Sequence, residues 1–352
     1  MSVFSSVHFD DHEEVVFCRD AETGLNAIIA VHDTTLGAGL GGCRFWAYET
    51  EDEALTDALR LSRGMTYKAA LAGTGRGGGK SVIIGDPRRI GSPDLFRAMG
   101  RFVEGLGGSY IIAEDVGTSP ADMAHVRETT RHVAGLAGQS GDPSPATALG
   151  TFVGIKAALK HSTGSGDLTG VRVAVQGLGH VGWDLCQRLH SAGAELVVSD
   201  IRDEITSRAV REFGATAVGV DSIHAASADV FAPCALGAVI NDRTLPKLKA
   251  KIVAGSANNQ LAEDRHGDVL AERGVLYAPD YVINAGGIIN IAHEGKGYDQ
   301  AEAFAHVETI GKTLAGLFAR SAEEGVAPHR MADRMAQEVI AEARKKARLL
   351  AA

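Results

Sequence analysis

Two lysines, one aspartate and a run of glycines carry most of the chemistry in the first half of the chain. Lys68 closes Met65-Thr66-Tyr67-Lys68, and Lys80 follows Gly77-Gly78-Gly79. Asp115 stands in Ala113-Glu114-Asp115-Val116-Gly117, and Gly39-Leu40-Gly41-Gly42-Cys43-Arg44 follows a predicted strand and its turn. Together they match what oxidation of an amino acid needs. A cation, helped by backbone amides of a glycine turn, can hold a carboxylate. A lysine amine can act as base towards water, and a carboxylate can carry protons to and from nitrogen. Burial and a neighbouring positive charge both disfavour protonation, so one of two close lysines can be neutral at about pH 8. Each residue also has an ordinary reading: a solvated lysine, an aspartate capping a turn, a flexible GGGK loop. GGGK is not a phosphate loop, because Thr74 stands where GxxxxGK[ST] requires its first glycine.

The second half holds Gly177-x-Gly179-x-x-Gly182 directly after an apolar strand at 171–176 and directly before a helix. The first glycine makes a tight turn, the second admits a pyrophosphate, and the third lets helix and strand pack closely. The helix then presents its first amides, at His180 and Val181, to the phosphates. The next strand ends in Asp200, placed to meet the adenosine ribose, so NAD is the expected cofactor. Arg202, two positions on, softens that preference over NADP. Spacing alone reaches an NAD-dependent oxidoreductase with a separate substrate domain.

These residues need a scaffold of strands and helices. Residues 25–31, 80–84 and 110–113 read as strands, and 51–70 as an amphipathic helix. Ser92-Pro93 and Ser119-Pro120 open helices by N-cap chemistry. A Gly/Ser/Pro-rich stretch at 135–144 reads as a linker, followed by a helix at 147–160. From 171 on, strands (171–176, 196–200, 229–232, 251–254) alternate with helices, the pattern of a doubly wound parallel sheet. Helical stretches around 300–319 and 332–350 close the chain. The expected class is α/β in two domains: residues 1–140 for substrate and catalysis, and 145–327 a Rossmann-type NAD domain.

A chain of 352 residues with net charge −9 has no basic excess for nucleic acid. The short run Arg344 to Arg348 reads as a solvated helix end. Four cysteines without CxxC spacing suggest neither a metal site nor a disulfide framework. No stretch is long enough to span a bilayer, and the opening MSVFSSVHFDDHEEVV lacks the pattern of an export signal, so reducing cytoplasm is the expected compartment.

Nine ordered segments, among them DTTLGAGLGGCR, GGGKSVII, AEDVGTSPADM, GDPSPATALG, VAGSANNQL and YAPDYVINAGGIIN, resemble the glutamate/leucine/phenylalanine/valine dehydrogenase superfamily, most strongly its leucine dehydrogenase branch. The resemblance implies a mixed sheet in the first domain, a cleft between the domains, and a last helix (328–352) packed back on the first. It makes Lys80 the catalytic base, Asp115 the proton shuttle, and Lys68 the carboxylate ligand aided by Gly41 and Gly42. It sets Thr147, Asn258 and Asn259 at the nicotinamide end and Ala235 along the cofactor. It lines an apolar side-chain pocket with Leu40, Met65, Ala113, Ile288 and Ile291. Two departures stand out: Ala134 in VAG, where that branch has VTG, and Arg76 before the triple glycine. The implied activity is reversible deamination of leucine, isoleucine or valine to a 2-oxo acid and ammonia by a homo-oligomer, dimer or octamer. An aromatic substrate (phenylalanine or tryptophan) and a catalytically silent NAD-binding regulator are the alternatives.

Overall fold

The computed structural model describes residues 3–136, 140–295 and 297–351. The chain divides into two compact units, one of Met1–Gly141, Ile291–Tyr298 and Ala336–Ala352, the other of Asp142–Asn290 and Asp299–Met335. The expected linker at 135–144 lies partly outside the described residues. No described helix is long and apolar enough to cross a membrane.

The first unit is built on strands β1 (Glu14–Asp20), β2 (Leu25–Asp33), β3 (Gly39–Trp46), β4 (Gly77–Ile84) and β5 (Tyr110–Glu114), in the order β1-β2-β4-β3-β5. β1, β2 and β4 run antiparallel in turn, whereas β4, β3 and β5 are parallel, so the sheet is mixed. Helix α1 (Glu51–Ala72) connects β3 to β4, α2 (Pro87–Ile90) and α3 (Pro93–Gly105) connect β4 to β5, and α4 (Pro120–Arg127) follows β5. α1 starts at an N-cap Thr50 that accepts from the Glu53 amide, with three acids in its first turn, and stops at Gly73 in the left-handed region. Ser92 and Ser119 cap α3 and α4 as their Ser-Pro signals predict.

Alternation along the strands decides what each sheet face carries. Val82 packs with Ala54, Leu55, Ala58 and Leu59 of α1, while Cys43, Phe45 and Ile83 pack with Leu95, Phe96 and Met99 of α3 on the other face. Lys80 is two residues from Val82 and therefore emerges on the α1 face. So do Gly42 and Arg44, which alternate with Cys43 and Phe45. Gly39 to Arg44 is strand, and the triple glycine extends the strand expected at 80–84 back to Gly77, so the alternative of a flexible GGGK loop is excluded. Neighbours impose extended backbone there against glycine's low strand propensity. A Cβ on Gly78, for example, would meet the Thr66 amide nitrogen of α1 at 2.1 Å.

The second unit begins with α5 (Ser144–Thr163) and continues through β6 (Arg172–Gln176), α6 (His180–Ser191), β7 (Glu195–Ser199), α7 (Asp203–Phe213), β8 (Thr216–Ala217), β9 (Val230–Pro233) and β10 (Ile252–Val253). α8 (Asp264–Glu272), β11 (Leu276–Tyr277), α9 (Asp280–Ile283), α10 (Gly286–Ala292), α11 (Gln300–Glu324) and α12 (Pro328–Ala351) follow. All its strands are parallel, in the order β11-β10-β9-β6-β7-β8. The chain enters at β6, winds out to β8 and restarts at β9 beside β6. That reversal is the switch point where doubly wound sheets bind ligands. β8 and β11, two residues each, are too short to leave a periodic signal.

Within the first unit, Gln337 of α12 donates to the Tyr67 hydroxyl at 2.9 Å, and Arg344 pairs with the buried Asp33. Arg344 is thus a clasp and not merely a solvated helix end.

The N-terminal segment is fixed to α1 by a buried histidine. His12 Nε2 donates to the Leu59 carbonyl at 3.0 Å, and its Nδ1 accepts the Asp10 amide at 3.2 Å, so the neutral ring satisfies both nitrogens. The His32 ring lies 4.8 Å away. Burial, opposed by the Leu59 carbonyl, lowers the His12 pKa to about 4. Since the unfolded histidine takes up its proton at about 6.5, this contribution is complete above that pH and is lost as pH falls towards 4. The unfolding midpoint should therefore drop more steeply between those pH values in the wild type than in His12→Asn, as measured by thermal melts across the range.

Candidate active site

Lys80 and Asp115 meet on the α1 face of the mixed sheet. Lys80 sits mid-strand in β4 with its side chain 7% exposed, and Asp115 follows the last residue of β5. The ammonium donates to Asp115 Oδ2 at 2.6 Å. Thr118 holds the backbone there, accepting the Asp115 amide at 2.9 Å and donating to the Cys43 carbonyl. Burial alone would raise the Asp115 carboxyl, but Lys80 and then Arg44 hold it below the usual carboxylate range.

Arg44 is a site residue to which sequence reasoning gave no role. Its Nε donates to Asp115 Oδ2 at 3.2 Å, and its other arm reaches Asp57 of α1 at 2.8 Å, where the Tyr48 hydroxyl also donates. Lys80, Asp115, Arg44 and Asp57 form a chain of alternating charge. The signal was present: Arg44 is two residues beyond Gly42 in one strand, hence on its face.

Gly42 keeps this cluster open. A Cβ there would lie 2.7 Å from both the Asp115 Cβ and the Glu114 carbonyl oxygen, and 3.3 Å from Lys80 Nζ. Gly41 offers its carbonyl to the buried Tyr110 hydroxyl at 2.8 Å, away from Lys80. Lys68 and Met65, three residues apart on α1, are half-buried on one side of the helix.

Of the residues expected around the substrate side chain, Leu40 and Ile291 line a common pocket of about 240 Å³ with Ile111, Val133 and Ala134. Met65, Ala113 and Ile288 do not line it, and Ile288 belongs to the second unit. Nor is the pocket wholly apolar: Arg76, Arg127, Arg131 and Glu294 share its wall. Composition along the chain hid this, because these charges come from three separate segments.

In the second unit a groove of about 960 Å³ opens at the carboxyl ends of β6, β7 and β9. Gly177, Gly179, Asp200 and Ala235 line it. Gly177 has φ +93°, and a Cβ on Gly182 would strike the Gly177 carbonyl at 2.0 Å. Gly179, the N-cap of α6, faces open space, leaving room at the helix N-terminus for a phosphate, and His180 is exposed there beside Val181. Asp200 accepts the Leu178 amide at 2.7 Å, the Arg202 amide at 3.0 Å and Arg202 Nε at 3.1 Å. Burial works against its charge, but these donors hold its carboxyl below the usual range. Ile201 and Leu236, 88% and 86% exposed, form apolar lips. Sequence reasoning missed these two, and also Arg243 and Lys247 on the groove wall. Thr147, Asn258 and Asn259 do not line the groove. Thr147 is the fourth residue of α5, Asn258 accepts from Asn284 at 2.7 Å, and Asn259 has φ +50°.

A doubly wound second unit with a glycine-lined turn after β6, and a first unit carrying a buried lysine–aspartate pair, fit the class of dinucleotide-dependent oxidoreductases. The comparisons sharpen that class. The family model described as Glu/Leu/Phe/Val dehydrogenase, dimerisation domain, matches residues 12–132, and that of the Glutamate/Leucine/Phenylalanine/Valine dehydrogenases matches 138–210 and 203–348. Leucine dehydrogenase from Geobacillus stearothermophilus is 54% identical over 98% of this chain and 95% of its own. Valine dehydrogenase from Streptomyces virginiae is 46% identical over 95% of each. The crystal structure of L-tryptophan dehydrogenase from Nostoc punctiforme superposes with a TM-score of 0.87 at 46% identity, covering 97% of this chain and 100% of that one. The chain belongs to the Glu/Leu/Phe/Val dehydrogenase family of NAD(P)-dependent amino acid dehydrogenases.

Gly42→Ala tests the geometry. The added methyl should force Lys80 and Asp115 apart, and misplacement on the ångström scale costs on the order of 10²-fold in rate. Turnover should fall by about that factor while dinucleotide affinity, measured by fluorescence titration, stays at the wild-type value.

Proposed function

We propose that this chain catalyses the NAD-dependent, reversible oxidative deamination of a branched-chain or other apolar L-amino acid to its 2-oxo acid and ammonia. The observation that carries the reading is the buried Lys80–Asp115 pair at 2.6 Å beside the space Gly42 leaves open. Leucine, isoleucine and valine are the substrates that the identities to leucine and valine dehydrogenases favour.

In this reading Lys68, with Gly41 and Gly42, binds the substrate carboxylate. Leu40, Met65, Ala113 and Ile291 of the first unit contact the side chain. Bound along Gly177, Gly179, His180, Val181, Gly182 and Asp200, with Ala235, Thr147, Asn258 and Asn259 beyond, NAD supplies the acceptor for the Cα hydride. Lys80 in its neutral form takes a proton from water as the oxygen bonds to the imine carbon. Asp115, having taken a proton from the substrate ammonium before hydride transfer, returns it to the nitrogen, the C–N bond breaks and ammonia leaves. The oxygen's remaining proton returns to the Lys80–Asp115 pair as the carbonyl forms. Arg44 favours the ionised form of Asp115 that receives the first proton. The free cysteines Cys18, Cys43, Cys186 and Cys234 support a reducing, cytoplasmic setting, and the dimerisation domain of the family model supports a homo-oligomer, dimer or octamer.

An aromatic substrate is the second reading, favoured by the 46% identity to a tryptophan dehydrogenase. Absorbance at 340 nm, followed with valine, leucine, phenylalanine and tryptophan on one preparation, separates the two. The branched-chain set should lead in kcat/KM, and an aromatic lead overturns the substrate assignment alone.

Lys80→Ala should lose on the order of 10²-fold or more in turnover and still bind NAD. Near-normal activity without added amines would remove Lys80 from the base role. NAD should also exceed NADP in kcat/KM, because the Asp200 carboxylate repels a 2′-phosphate. Equal values would point instead to Arg202.

A further inference from the structure

The pocket that holds Leu40 and Ile291 has a cationic wall that the proposed reaction leaves unused. Three arginines and one glutamate line it, a net charge of +2 on a chain of net −9. Among the described residues the guanidinium groups of Arg76 and Arg131 form no ion pair, and Arg127 donates only to the Thr130 carbonyl, at 3.1 Å. Glu104, the neighbouring acid, turns to Thr130 and lies 3.8 Å from His132.

Glu294 does not neutralise this wall as a free carboxylate would. One of its oxygens accepts the Gly135 amide at 2.8 Å, and the other accepts the Ser140 amide at 3.4 Å and the Ser140 hydroxyl. Its oxygens are turned to these neutral donors and make no ion pair with the three arginines among the described residues, so the wall keeps its net positive charge. The arginines therefore face a concave space with no committed anion, beside an apolar wall of Leu40, Ile111 and Ile291. Low-dielectric walls focus such a field and raise its attraction for an anion. Arginine's planar fork also suits a carboxylate. At roughly 30 Å³ per water, 240 Å³ holds about eight waters' worth of ligand. That is the size of a short aliphatic acid.

We propose that this pocket binds a small organic anion, its carboxylate on Arg76, Arg127 and Arg131 and its aliphatic stem on Leu40, Ile111 and Ile291. Leu40 and Ile291 also serve the amino acid side chain in the function proposed above, so an occupant of this pocket competes with substrate. That consequence, unlike binding itself, rests on the proposed function.

Pentanoate is a suitable probe, titrated by calorimetry into the full chain without dinucleotide. Binding should weaken at least tenfold in Arg76→Gln/Arg131→Gln and also in 0.5 M salt (roughly a twofold shorter screening length than at 0.1 M), and should persist in Lys68→Ala. Unchanged thermal midpoints would show that the variants fold. No binding by the wild type, or binding lost only in Lys68→Ala, would overturn the proposal. Pentanoate should also raise the leucine KM without lowering kcat. A chain that binds pentanoate through the arginines but oxidises no amino acid would retain this site and refute the proposed function.

Discussion

A lysine buried on a sheet face must have its charge met or give it up, and the first unit is organised around that constraint. Isolated burial of an ammonium is costly enough that the group neutralises unless paired. Asp115 meets Lys80 at 2.6 Å, and Arg44 and Asp57 extend the alternation so that no charge in the row stands alone. Thr118 locks the turn that carries Asp115, and the absent side chain of Gly42 lets the strands bring both groups together. The pair has a short path for a proton because everything around it has been fitted to hold two opposite charges in contact.

The second unit solves a different problem with related means. Its loop after β6 is held before any ligand arrives: Asp200 grips the Leu178 amide, and Arg202 lies over Asp200 while reaching the Leu178 carbonyl at 3.3 Å. A phosphate turn stabilised in this way loses less freedom on binding than a mobile one. The carboxylate that reads the sugar in such folds here also braces the turn.

Much of this was legible in the chain because its signals are local. Capped helices at Thr50, Ser92 and Ser119, the parallel α/β alternation after 171, and GxGxxG followed by Asp200 all depend on neighbours within about one element. The parts that escaped depend on distant partners. Gly39 to Arg44 and Gly77 to Gly79 have the composition of turns and become strands only because each is wedged between others. Arg44 gains its meaning from Asp57 and Asp115, 13 and 71 residues away. The arginine wall likewise joins Arg76 to Arg127 and Arg131, residues that no periodicity links.

Ile201 and Leu236 leave large apolar side chains in water at the mouth of the groove. Any ligand that fills the groove removes that surface from solvent, so its binding carries a negative heat-capacity change. The hydrophobic part of its affinity then fades on cooling. Temperature would thus act on occupancy of the groove through two side chains at its rim. Until the groove is filled, the same lips remain an adhesive spot on an otherwise well-charged surface.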